Sequence, residues 1–241
     1  MNRRRKPASP VVVSASAQWI SDIDHDRTRR EELIARMATD SLGEEDEERD
    51  QFVARGMQLF NRGGTKKRRF AHGETIDAAR LEIDRKTGRL VGEVRAVIRG
   101  PPEHVVAYLM DLNGKHFNSK LNPKIVVRYE AREVKSVHHT VAFLEFKTPP
   151  FTNRTFLLSL VWKKLSDDPR TYAWVAMSID RHHSLSSHEE AHAVRGGMEK
   201  CVLLTDIGDG STRLDYAVAA DLKGRFPEHF TQKIALPQNM R

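Results

Sequence analysis

The sequence predicts an α+β fold: a strongly curved antiparallel β-sheet wrapped around a C-terminal helix, with a helical extension at the N-terminus. Three observations predict it. From about residue 72 the apolar residues follow a period of two through eight segments, near 74–84, 89–98, 125–133, 137–146, 155–165, 171–180, 193–206 and 212–221. Short turns separate several of these, at Val134-Lys135-Ser136, Ser166-Asp167-Asp168-Pro169 and Gly208-Asp209-Gly210, so most neighbours can pair as hairpins. Helical patterns interrupt the run only after the second segment and at the end, which excludes a doubly wound parallel sheet.

Taken in order, residues 1–27 carry no periodic apolar pattern, and residues 1–41 read as a largely disordered extension. Within it Thr28 and Glu31 form a capping box for a short helix bearing Leu33, Ile34 and Met37. Ser41 and Glu44 form a second box, and the acidic block Glu44 to Asp50 follows where a helix dipole favours negative charge. Phe52, Val53, Met57 and Phe60 recur at helical spacing until Gly63-Gly64, so 42–61 is expected to be an amphipathic helix. It would dock on the larger body or meet a protein partner. The linker to residue 73 holds Lys66-Lys67-Arg68-Arg69, read as a solvated basic run.

The main domain is expected over 74–241. Leu90, Val94, Ala96 and Ile98 share one strand face, and Pro101-Pro102-Glu103 opens a helix carrying Val105, Tyr108, Leu109 and Leu112. Phe156, Leu158, Leu160 and Trp162 share a face, as do Leu214, Tyr216, Val218 and Ala220. A sheet curved around one helix encloses apolar volume of the kind in which small molecules bind.

Composition narrows the function. The net charge of +7 is spread along the chain: residues 1–70 hold 15 Lys/Arg against 12 Asp/Glu, and the remainder holds 25 against 21. That argues against a nucleic-acid partner, whose binder gathers charge on one face, and suits transient contact with an anionic membrane surface. The single cysteine, Cys201, lies in an apolar run and permits no internal disulfide. No stretch approaches the ~18 apolar residues of a membrane span. The expectation is a soluble, cytoplasmic protein, peripheral to membranes at most.

Three segments carry the strongest pattern: Pro150 to Phe156, Val194-Arg195-Gly196, and Gly210 to Arg213 leading to Asp221 to Pro227. In order and spacing they resemble the StAR-related lipid-transfer (START) domain family. The resemblance spans roughly 74–241. It implies a helix-grip fold with a hydrophobic tunnel for one lipid or sterol, which is moved or sensed without being changed, so neither enzyme chemistry nor a cofactor is implied. Thr155 stands where the family usually has Asp, which leaves Arg154 to find another partner. The segment from Pro227 onward is shorter than the family's last helix and contains Pro237, so a truncated closing helix is expected.

If the tunnel forms, the expected lipid-binding residues are Phe156, Leu158, Leu160, Trp162, Trp174, Leu214, Tyr216 and Val218. Arg195 is the expected anchor for a polar head, because a buried guanidinium needs an acidic or phosphate partner. The mouth is expected at Phe151, Arg154 and Phe226. A rival reading rests on His188-Glu189-Glu190-Ala191-His192, which satisfies the H-E-x-x-H pattern of zinc hydrolases, with His182 and His183 nearby. A long helix is needed to hold both rings, yet Gly196-Gly197 follows closely, so the segment reads as a polar connection and no metal is expected. A third reading is an interaction module with a filled cavity on the same scaffold.

Overall fold

The computed structural model describes residues 30–35, 46–61, 76–83, 89–112, 126–183, 185–186 and 193–224. A helical stretch over 30–35 is followed, among the described residues, by two further helices and nine strands in the order α1 (Glu47–Met57), β1 (Ile76–Ile83), β2 (Leu90–Arg99), α2 (Pro102–Met110), β3 (Val126–Ser136), β4 (His139–Thr148), β5 (Phe151–Asp167), β6 (Arg170–Ser178), β7 (Val194–Arg195), β8 (Gly197–Asp206) and β9 (Ser211–Asp221). One sheet runs β1-β2-β9-β8-β6-β5-β4-β3, antiparallel throughout. The short β7 lies off this path and pairs in parallel with the free start of β5.

The α+β reading and the eight long strand segments match this architecture, with shifts at the turns. β3 runs through the expected turn to Ser136, and the reversal falls at Val137-His138. His138 is therefore a turn residue and not a strand residue. Its ring lies 4.1 Å from that of Trp162, whose indole Nε1 donates to the Val137 carbonyl at 2.8 Å. The single strand expected at 193–206 is broken at Gly196, because Gly196 N–H donates to Thr155 O and the chain crosses from β5 to β6 and β9 there. The expected helix 42–61 is α1, followed by a 3₁₀ turn over Gln58–Asn61. Its cap is Asp46, which accepts from the Arg49 backbone N–H; Ser41 and Glu44 lie outside the described residues.

The two faces of the sheet are covered by different helices. Period two sends Val161, Ala173, Val175, Met177, Cys201, Ala217 and Ala219 to one face, where Val53 and Leu59 pack on them. Gly56 permits this approach, since a Cβ there would stand 2.7 Å from Val175 Cγ2. Ion pairs fasten the rim: Lys163 to Asp50 at 2.5 Å and Arg55 to Glu199 at 2.7 Å. The other face carries Leu144, Phe156, Leu158, Leu160, Trp162, Trp174, Val202 and Leu204 against Val106, Met110 and Leu112 at α2.

That second face is concave. Tyr129 on β3 and Tyr216 on β9 are separated by four strands, roughly 24 Å across a flat sheet at ~4.8 Å per strand. Yet the Tyr129 charge adds to burial in raising the Tyr216 phenol. Two groups so far apart along the sheet can feel one another only if the sheet curls and brings its ends together. The closing helix expected after Pro227 lies outside the described residues.

Candidate functional site

The concave face assembles most of the residues expected to bind a ligand. Phe156, Leu158, Leu160 and Trp162 line β5, and Trp174 sits opposite Trp162 on β6. Leu214 and Tyr216 pack against the same cluster from β9, and Val218 follows them on the same strand face, buried between Lys200 and Gly92. Eight of the expected wall residues therefore share one surface. α2 closes one side of it, held by Glu103, which accepts from Tyr172 Oη and from Arg170 Nη1, each at 3.0 Å. Arg170 also grips Asp206, so the start of α2 is tied to both β6 and β8.

Arg195 is not brought to that surface. β7 pairs with β5 in parallel, Arg195 opposite Thr155 and Val194 opposite Arg154. Paired residues in adjacent strands point to the same side, so Arg195 stands on the Thr155 side, away from Phe156 and Leu158. Its Nε and Nη1 are buried without a hydrogen-bond partner among the described residues. The next residue, Gly196, faces the wall instead and lies against the Phe156 ring.

Arg154 answers the question raised by Thr155. Its guanidinium is buried and donates to main-chain carbonyls: Leu222 O at 2.5 Å, Lys223 O at 3.1 Å, and Thr152 O. Desolvation holds its pKa below the usual value. Arg154 thus clasps the chain as it leaves β9, in place of the missing carboxylate partner. Phe151 is half-buried at the start of β5, and Phe226 lies outside the described residues.

The sequence reading overlooked Lys200. On β8 it falls between Met198 and Val202, both in the concave cluster, and opposite Ala176 and Val218. Burial pushes its amine down to about 8, with no charged neighbour contributing. Tyr129 and Tyr216 are pushed up, both chiefly by burial. All three side chains are nonetheless only half-buried by surface area. All three therefore keep some surface on the concave face. The available signal was the alternation itself: Met198, Lys200, Val202 and Leu204 put one charge into an apolar row.

A second cluster lies on the α1 side. Glu133 on β3 and His182 and His183 after β6 each bring a ligand atom within 4.8 Å of one another. His182 Nε2 donates to Glu133 Oε2 at 2.7 Å, and the two imidazoles stack at 4.2 Å. This hydrogen bond holds the Glu133 carboxyl below its ordinary value. Two imidazoles and a carboxylate are zinc-type donors, but here the pair also serves to fasten the chain after β6 to the edge strand. His188, Glu189 and His192 lie outside the described residues. Glu199, seven positions past His192, is a strand residue bound to Arg55. No helix among the described residues is long and apolar enough to cross a membrane.

No protein-family model matches the chain, and no curated protein does. Solved structures do. Human StAR-related lipid transfer protein 5 superposes with a TM-score of 0.61 at 14% identity, over 79% of this chain and 88% of that one. Human STARD10 gives 0.58 at 16% identity, over 83% and 80%. A STAR-related lipid transfer protein from Xanthomonas axonopodis gives 0.57 at 14% identity, over 72% and 92%. With the strand order, the two-faced core and these superpositions in hand, the chain has a START-like, helix-grip-type α+β fold.

Proposed function

We propose that the chain binds one lipid or sterol in a hydrophobic hollow under its concave face and carries or senses it without altering it. The observation that carries this reading is the set Tyr129, Lys200 and Tyr216: strongly desolvated, yet half-buried, on a face otherwise built of hydrocarbon. The superposition on proteins titled as lipid-transfer proteins supports the same reading. The binding unit is residues 74–241, with α1 docked on its outer face and Phe156, Leu158, Leu160, Trp162, Trp174, Leu214, Tyr216 and Val218 as the wall. Phe151, Arg154 and Phe226 form the mouth, where the Arg154 clasp and the turn at Pro149-Pro150 meet a membrane surface transiently. No catalytic residue or cofactor enters this function.

Extraction of the purified protein followed by mass spectrometry is expected to yield about one lipid per chain. Labelled lipid is expected to move between vesicles faster in the protein's presence. Recovery of no lipid together with no acceleration would sink the reading and leave an interaction module with a filled cavity.

A further inference from the structure

Three hydrogen-bond donors on the concave face meet no acceptor among the described residues, and the strand register brings them together. Trp174 on β6 and Tyr216 on β9 both stand opposite Val202, so they flank it in one row across the sheet. Lys200 is one row along on the same strand as Val202, diagonal to each of them. Diagonal neighbours of this kind lie ~7–8 Å apart at Cα, within reach of long side chains. The Trp174 indole N–H is buried with no hydrogen-bond partner among the described residues. Lys200 meets no carboxylate there, and burial alone sets its amine. The Tyr216 hydroxyl is held in its protonated, donating form by burial and by Tyr129.

An ammonium among hydrocarbon is costly unless a counter-charge meets it, and an unpaired indole N–H adds to that cost. A wall that retains both, side by side, suits a ligand that supplies the acceptors. We infer that Lys200, Trp174 and Tyr216 form the head-group site of the hollow, and that its ligand is an amphiphile with one compact anionic head, a carboxylate or a phosphate. The inference rests on the lipid-binding reading above. The tail would then lie against the partly buried apolar residues of the same cluster, Val105, Leu109 and Leu214. Arg195, on the opposite face, takes no part.

The test compares a fluorescent long-chain fatty acid, the fatty alcohol with the same tail, and the corresponding monoalkyl phosphate. The intact protein is expected to bind at least one anionic probe about tenfold or more tightly than the alcohol. Lys200→Met is expected to lower that anionic affinity about tenfold or more and leave the alcohol unchanged. Tyr216→Phe and Trp174→Phe are each expected to cost the anionic probe about three- to tenfold. Equal binding of acid, phosphate and alcohol by the intact protein, or undiminished anionic binding by Lys200→Met, would overturn the head-group site while the hollow stands. Binding of none of the probes would remove the lipid reading along with it. Should Lys200→Met fail to fold, Tyr216→Phe removes a single hydroxyl, and unchanged anionic affinity in that variant overturns the assignment.

Discussion

A Cβ built on Gly196 would stand 2.4 Å from Cε1 of Phe156 and 3.0 Å from the Asp221 carbonyl. Real side chains do not approach so closely, so Gly196→Ala must push the Phe156 ring off its neighbours. Overpacking of a buried ring costs about 1–3 kcal/mol. The urea midpoint of Gly196→Ala is therefore expected to fall, and an unchanged midpoint would show that the ring is free to move aside. At this scale the sequence was uneven. Phe156 and Trp174 were legible as residues of one apolar face because period two assigns a strand face without knowledge of partners. Arg195 was misplaced because its face depends on β7 pairing in parallel with β5, a long-range contact that no local pattern encodes. Lys200 was missed because one charge in an apolar row looks like an edge residue until the neighbouring strands are known to bury it.

Among the elements, α2 shows how packing and charge combine. Its apolar side, Val106 and Met110, lies on the concave cluster, while Glu103 in its first turn is held by Arg170 and Tyr172. Arg170 also pairs with Asp206, whose carboxyl is lowered first by the Gly208 N–H and then by Arg170. A carboxyl with a depressed folded pKa stabilises the fold above its unfolded value of about 4, and that contribution fades as pH falls through the folded value. Arg170→Ala is expected to lower the melting temperature at pH 7 and to flatten its decline below about pH 4. Melting curves of both proteins from pH 7 to pH 3 check this, and parallel curves would mean that the pairs are screened away. The start of α2 was legible from Pro101-Pro102-Glu103. The tie to Arg170 was not, since 67 positions separate the partners.

At the scale of the molecule, the nine described strands form one continuous sheet with Cys201 near its middle. The thiol is buried between β6 and β9 under α1, and burial pushes it up to about 12. Exposing it requires lifting α1 or parting the central strands. Its labelling by a thiol reagent at pH 8 is therefore expected to be slow in the native protein and to accelerate in parallel with unfolding in urea. Rapid labelling without denaturant would show that α1 detaches independently.

Alternation, turn residues and proline placement were enough to determine that this chain builds eight long strands, a helix after the second and a helix before the first, because those features follow from side-chain direction and backbone sterics within a few residues. Tertiary structure alone decided the non-hairpin neighbours, β2 beside β9 and β6 beside β8, how far the sheet curls, and hence which polar side chains share the concave face. The curl that lets Tyr129 reach Tyr216, the parallel pairing that turns Arg195 away, and the row that leaves Lys200 beside Trp174 and Tyr216 all join residues distant in sequence. Local patterns state which face a residue takes on its strand. Only the assembled sheet states what that face encloses.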